Sequence, residues 1–227
     1  MRPVAGASTS GFGLEVDGLR VTLGGRLVLD LPHLVVPRGT ALAIRGPSGA
    51  GKSTLLLALA GLIEAEGRIL WGGTDITALS AARRTAFRRD RIGLVFQDFQ
   101  LFEELSARHN AAIAAAWVRD PAGHRARADA ALATLGIADA SRRAAAYSGG
   151  ERQRIAVARA LAGNPAAILA DEPTASLDRA NADRLIADLF GLVRREGRTL
   201  VAVSHDPALH RAADRVIDIV DGRLADA

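Results

Sequence analysis

The sequence predicts an α/β fold: a mainly parallel sheet with an N-terminal antiparallel β subdomain and a helical subdomain inserted over about 98–147. Three observations lead there. Compact β-branched runs at 92–96, 168–170 and 199–203 are apolar at successive residues, the pattern of strands buried on both faces. Helical patterns separate these runs. A further strand, 40–45, passes through a glycine-rich loop straight into a helical stretch at 54–63.

In chain order, a Gly/Ser-rich lead over 1–13 is expected to be flexible, followed by a single domain over 14–227. Segments 14–21 and 27–36 read as short strands interrupted by Gly24-Gly25 and by Pro32, as in antiparallel structure. The strand, loop and helix of 40–63 come next. Between the strands 92–96 and 168–170 lie Ala-rich helical patterns at 111–118 and 125–135. The chain closes with 216–220, Asp221-Gly222 and Arg223-Leu224, a hairpin signature.

Composition narrows the function. The 227 residues carry 29 Lys+Arg against 25 Asp+Glu, a formal charge of +4, and a sequence pI near 10.7. With no Cys and one Tyr, almost nothing titrates between neutrality and the arginine range, so this pI does not indicate a nucleic-acid surface. No nucleic-acid partner is expected. Absence of Cys excludes a disulfide framework and thiolate metal sites. No apolar run reaches the roughly 18 residues of a membrane span, and the start MRPVAGASTSGFG lacks the apolar core of a signal peptide. Ala supplies about one residue in five and Arg displaces Lys, a bias that fits a GC-rich coding background. The single lysine, Lys52, therefore stands out.

Lys52 belongs to Gly46-Pro47-Ser48-Gly49-Ala50-Gly51-Lys52-Ser53-Thr54, which matches G-x-x-x-x-G-K-[ST] between a strand and a helix, the mark of a P-loop NTPase of the RecA-like kind. Backbone N–H groups wrap an anion closely only where Cβ atoms are absent, and the helix start adds partial positive charge. Lys52 is expected to reach the β/γ-phosphates of ATP and Ser53 to ligate Mg²⁺. In AAILADEP, Asp171 ends a buried strand, placed to hold the Mg²⁺ shell through water, and Glu172 beside it is placed to take a proton from an attacking water. An acidic pair after a strand is also a common helix cap.

Tyr147-Ser148-Gly149-Gly150-Glu151 opens a helix. Ser148-x-x-Glu151 is a capping box in its own right, but two glycines inside it oppose helix formation, and bare amides there suggest a second phosphate-binding surface. Gln97 and His205 fall at carboxyl ends of presumed parallel strands, where ligands sit in open α/β sheets.

Taken in order, GPSGAGKST, Gln97, YSGGERQR, ILADEPTASLD and SHD resemble the ATP-binding subunit of an ABC transporter, over the chain from about Leu14 to its end. The resemblance implies an ATPase that works as a head-to-tail homodimer with two ATP molecules sandwiched between subunits. Lys52 and Ser53 of one copy would face Ser148 and Gly150 of the other. It also implies that Gln97 links the Mg²⁺ site to a membrane permease subunit, that Asp178 of Ser176-Leu177-Asp178 crosses the dimer, and that His205 contacts the γ-phosphate. The expected location is the cytoplasmic face of the bacterial inner membrane, peripheral through the permease. The stretch DITALSAARRTAFRRDRIGLVFQDFQLFEELSARHNA is similar to the subgroup serving lipoprotein release, macrolide export and cell division, with Glu103 and His109 as departures.

A second departure is Leu23, at the position where such families carry an aromatic that stacks on adenine. Arg20 or Arg26 is a candidate substitute. Phe99, Leu101, Phe102 and Leu105 line either core or a groove for a short helix of the permease, with Phe96 as core. The run Arg83, Arg84, Arg88, Arg89 and Arg91 reads as a solvated face or a lipid-headgroup contact. Competing functions are a P-loop kinase, an ATP-gated clamp in envelope assemblies, and a DNA-repair ATPase; the glycine pair with Glu172 opposes the first, and the lack of a coiled-coil insertion opposes the last.

Overall fold

Two sheets share a core with one helix in the computed structural model, which describes residues 12–225. Strands β1 (Leu14–Leu23) and β2 (Arg26–Val36) form a long hairpin about Gly24-Gly25, and β1 also pairs with β4 (Glu66–Trp71), which pairs with β5 (Thr74–Asp75). This four-stranded antiparallel sheet has the order β2-β1-β4-β5. Pro32 does not interrupt β2 as expected. It lies between the pairs Leu31↔Leu19 and His33↔Asp17 on an edge strand, where its missing N–H removes no ladder bond.

The second sheet has the order β10-β9-β3-β8-β7-β6. Its strands are β3 (Ala41–Arg45), β6 (Ile92–Val95), β7 (Ala167–Asp171), β8 (Thr199–Val203), β9 (Arg215–Val220) and β10 (Arg223–Leu224). All pair in parallel except β9 with β10, the closing hairpin. Every residue of β8 is buried, as its uninterrupted apolar run requires.

Helix α1 (Lys52–Leu59) packs between the sheets. It starts two residues before the predicted stretch and ends earlier, because Gly61 turns left-handed at φ 63° and Leu62 N closes back on Leu57 O at 2.9 Å. Tertiary donors then take the freed carbonyls, Trp71 Nε1 reaching Leu59 O at 2.9 Å and Arg88 Nη1 reaching Ala60 O at 3.4 Å and Gly61 O at 3.2 Å. The arginine run thus corrects to part scaffold. It forms α2 (Ala81–Arg91), where Arg88 holds the end of α1 and Arg84 Nη2 donates to Leu79 O at 3.2 Å.

The inserted segment contains α3 (Ala107–Ala111), a 3-10 turn at Ile113–Trp117, α4 (Pro121–Thr134) and a second 3-10 turn at Ala144–Ala146, and it leads into α5 (Gly149–Ala162). Helices α6 (Arg179–Glu196) and α7 (Pro207–Ala212) complete the fold. Of the lead expected over 1–13, residues 1–11 lie outside those described. Phe12 belongs to the body: its ring stacks on Trp71 and Phe87 at centroid distances of 5.7 and 5.9 Å.

Candidate active site

The carboxyl ends of β3, β8, β7 and β6 lie side by side, fixed by the pairs Ile44↔Val203, Asp171↔Val203 and Val95↔Ala170. Four segments leave this edge: the loop 46–51, Gln97, Asp171-Glu172, and Ser204-His205. Sequence patterns from four distant stretches therefore meet in one place, because parallel strands present all their ends on the same side.

The glycine loop is sterically determined. A Cβ on Gly46 would lie 2.0 Å from Ile219 O, and Gly51, at φ 94°, would place one 2.8 Å from Leu29 Cδ2. Helix α1 starts at Gly51 without a side-chain cap, whereas α2 to α7 each have a side-chain oxygen accepting from a first-turn amide. Its first amides are thus free for an external anion. Lys52 is buried, and its Nζ donates to Gly46 O and Pro47 O, both at 2.8 Å. The ammonium is held folded against the loop it serves.

A cavity of about 260 Å³ adjoins this loop, lined by Ser48, Lys52, Ser53, Gln97, Asp171 and Glu172 among others. Asp171 Oδ1 is buried and takes no hydrogen bond. Burial pushes the Asp171 carboxyl above its ordinary value, Ser53 and Lys52 oppose this, and Asp98 adds to it. An orphaned carboxylate oxygen beside a serine hydroxyl is the donor chemistry that Mg²⁺ completes. Among the described residues no three His, Cys, Asp or Glu side chains cluster as a metal site. Mg²⁺ bound with nucleotide does not need them, since phosphates and water supply most of its ligands.

Glu172 sits at φ 45°, a left-handed conformation that costs a non-glycine residue about 1–3 kcal/mol. Its amide donates to Val203 O at 2.9 Å, and its Oε2 accepts from His205 N at 3.2 Å. His205 Nε2 lies 3.4 Å from Glu172 Oε1. The strained turn aims the carboxylate into a cavity of about 660 Å³ shared with Ser48, Gln97 and His205.

No residue of 147–151 lines either cavity, so one chain does not bring the second glycine motif to the first. Tyr147 is buried, its hydroxyl donating to Asp139 O and its ring lying under Arg142 at 4.7 Å. It anchors the motif from inside. Ser148 and Glu151 form the capping box, with Glu151 Oε2 accepting from Ser148 N at 2.8 Å. The glycines have another character. A Cβ on Gly149 would approach Ser176 O only to 3.5 Å, and one on Gly150 would meet Asn181 at 3.4 Å. These are ordinary contacts, so packing within the chain does not demand glycine there. The neighbouring Ser176-Leu177-Asp178 ends in a cap: Asp178 Oδ1 accepts from Asn181 N at 2.9 Å, starting α6.

Leu23 is exposed at the tip of the β1–β2 hairpin. Arg20 is engaged with Asp30 at 3.2 Å, which leaves Arg26, paired opposite Leu23 in the strand register, as the freer guanidinium.

Comparison with known proteins decides the family: residues 29–175 match the ABC transporter family model. The chain belongs to the ABC transporter family. It is an ABC-type ATPase with a P-loop NTPase α/β fold, the ATP-binding subunit of a transporter. The cassette is 40% identical over 93% of its length to the lipoprotein-releasing system ATP-binding protein LolD of Bacteroides thetaiotaomicron, covering 98% of that protein. It is 42% identical to the Fe(3+) ions import ATP-binding protein FbpC of Streptomyces coelicolor, over 93% of this chain and 60% of that one. It is 43% identical to the macrolide export ATP-binding/permease protein MacB of Bradyrhizobium diazoefficiens, over 83% of this chain and 29% of that one. A dimeric post-hydrolysis structure of the ATP-binding cassette MJ0796, bound to ADP and Pi, superposes with a TM-score of 0.85 at 32% identity, covering 94% of this cassette and 97% of that chain. Among the described residues no helix is long and apolar enough to cross a membrane.

Sequence reasoning missed Trp117. Its ring is 68% exposed at the end of the 3-10 turn, beside a cavity of about 380 Å³ that also takes in Phe96, Gln100, Val118, His124 and Arg159. Phe96 is thus a groove wall rather than core. A lone Trp in an Ala-rich run carries no periodicity to signal it.

Proposed function

We propose that this cassette works as a head-to-tail homodimer that hydrolyses ATP with Mg²⁺ and drives a membrane permease at the cytoplasmic face of the bacterial inner membrane, in export, lipoprotein extraction or mechanotransmission. The observation that carries this reading is the convergence of the uncapped start of α1, the orphaned Asp171 oxygen and the strained Glu172 on one sheet edge. The loop amides and Lys52 hold the β/γ-phosphates; Ser53, Gln97 and, through water, Asp171 hold Mg²⁺, which supplies charge neutralisation when bound. Glu172 accepts the proton of the attacking water, and His205 stands beside it toward the γ-phosphate. Gly149 and Gly150, which internal packing leaves unexplained, offer bare backbone to a phosphate on a second copy.

The groove beside Trp117 supports a permease contact. Its wall includes a buried His124 whose two ring nitrogens have no partner, and Gln100, three residues beyond Gln97; Phe102 and Leu105, further along the chain, are themselves exposed. Arg159, also in this wall, holds the preceding turn, its Nη2 donating to Phe99 O at 2.7 Å. The permease encoded beside or co-purifying with the chain is therefore expected to lose its stimulation of ATP hydrolysis on Trp117→Asp, by about tenfold or more, while basal hydrolysis of the cassette alone stays within twofold. Pull-down and phosphate release on the two proteins check this; unchanged stimulation moves the contact elsewhere.

With Leu23 in place of an aromatic, ATP and GTP are expected to give similar Michaelis constants. Leu23→Tyr is expected to lower the constant for ATP by about fivefold or more, since a base stack is worth about 1–3 kcal/mol. Steady-state titrations with both nucleotides test it, and a strong ATP preference in the parent chain removes the premise.

A further inference from the structure

The segment from Glu172 to Arg179 is attached at both ends to the His205 loop. At its start, Glu172 Oε2 accepts from His205 N at 3.2 Å. At its end, Arg179 Nη1 donates to Asp206 Oδ1 at 2.9 Å, and Asp206 is nearly buried, with its side chain 11% exposed. Asp206 is itself fixed: its amide donates to Ser204 Oγ at 3.0 Å, and its Oδ1 accepts from Ala208 N at 2.9 Å, capping α7. Ser176-Leu177-Asp178 therefore forms the middle of a span whose two ends hold adjacent residues, His205 and Asp206. Thr174, Leu177, Arg179, His205 and Asp206 line one cavity with Glu172.

Arg179 has a second partner, Asp183 Oδ1 at 2.6 Å, one turn further along α6. The two contacts differ in kind. The Asp183 pair joins exposed side chains within one helix, which contributes only a few tenths of a kcal/mol. The Asp206 pair joins two elements remote in sequence at a carboxylate that already caps a helix, so it fixes position.

We propose that Arg179 is a positioning residue for hydrolysis: through Asp206 it keeps the His205 loop in register with Glu172, and it carries to that loop any displacement of 176–178 caused by a second copy of the chain. This rests on the proposed hydrolytic roles of Glu172 and His205. Nucleotide binding at the glycine loop does not pass through the pair, so its loss falls on turnover.

The test is steady-state ATP hydrolysis by the full chain. Arg179→Ala is expected to lower kcat about fivefold or more with KM for ATP within twofold, and Arg179→Lys to restore at least half of the loss. Asp206→Asn keeps an accepting oxygen but loses the charge, so it should lower kcat by no more than Arg179→Ala does, and the double variant should be no worse than Arg179→Ala, because both substitutions act on one interaction. Asp183→Asn, which spares the Asp206 contact, should leave kcat unchanged. Thermal melts identify any variant that is not folded, and Arg179→Lys with Asp183→Asn then carry the test. Unchanged kcat in Arg179→Ala, equal losses in Asp183→Asn, or additive losses in the double variant overturn the proposal. Absence of hydrolysis by the unmodified chain instead overturns the functional reading beneath it.

Discussion

Replacing Lys52 by arginine is expected to reduce ATP turnover about a hundredfold or more, equivalent to about 2.7 kcal/mol, with charge and pI essentially unchanged. The physical reason is the shape of the site. Lys52 is buried at the first position of α1, and its Nζ reaches two loop carbonyls at 2.8 Å each. In the proposed role, a compact ammonium on a flexible stem would exchange those carbonyls for phosphate oxygens by a small rotation. The guanidinium is planar, larger and fixed in its donor directions, so it cannot make the same exchange in the space between Gly46 and the helix start. The chain uses arginine at every other basic position, so the substitution matches its background everywhere except here. Phosphate release and nucleotide binding on a variant with an unchanged melting temperature check the outcome. Wild-type turnover in Lys52→Arg removes the significance of the lone lysine.

The second large effect is expected at Glu172. Glu172→Gln keeps the side chain's size and an oxygen able to accept from His205 N, but it removes the proposed proton acceptor. General-base contributions of about 10²–10⁴ set the scale, and a loss of a hundredfold or more in hydrolysis is expected, with ATP affinity retained. If the proposed dimer closes on ATP and Mg²⁺, closure would then not be followed by hydrolysis, so the variant should accumulate as an ATP-bound dimer, seen by light scattering, and revert to monomer when ATP is replaced by ADP. Hydrolysis at the parent rate would reassign the base, with His205, 3.4 Å away, as the first candidate. Phosphate transfer to a small metabolite would instead revive a kinase reading.

Much of the site was legible because its chemistry is local in sequence. The glycine loop needs glycine at fixed offsets, and the structure shows why at Gly46, where a Cβ would collide with Ile219 O. The capping box of Ser148 and Glu151 is likewise a four-residue event. Strands buried on both faces were visible as apolar runs, and β7 and β8 fall within a residue or so of expectation. What was not legible depends on remote neighbours. Pro32 looked like a break, yet edge position makes it harmless. The arginine run looked solvated, yet Arg88 holds the end of α1, 27 residues away. Trp117 gave no signal because exposure of a single aromatic has no sequence pattern.

By itself the sequence determined the fold class and the family, and it marked the glycine loop and the acidic pair as candidates, since each rests on residue types at short fixed spacing. Tertiary structure alone decided which strand ends lie together, that Asp171 is left with an unpaired oxygen, that Glu172 is held in a left-handed turn, and that Arg179 grips the His205 loop. The division follows from physics. Backbone geometry and local capping act over a few residues and leave a mark in the sequence, whereas burial, charge pairing and conformational strain are set by whatever the fold brings alongside.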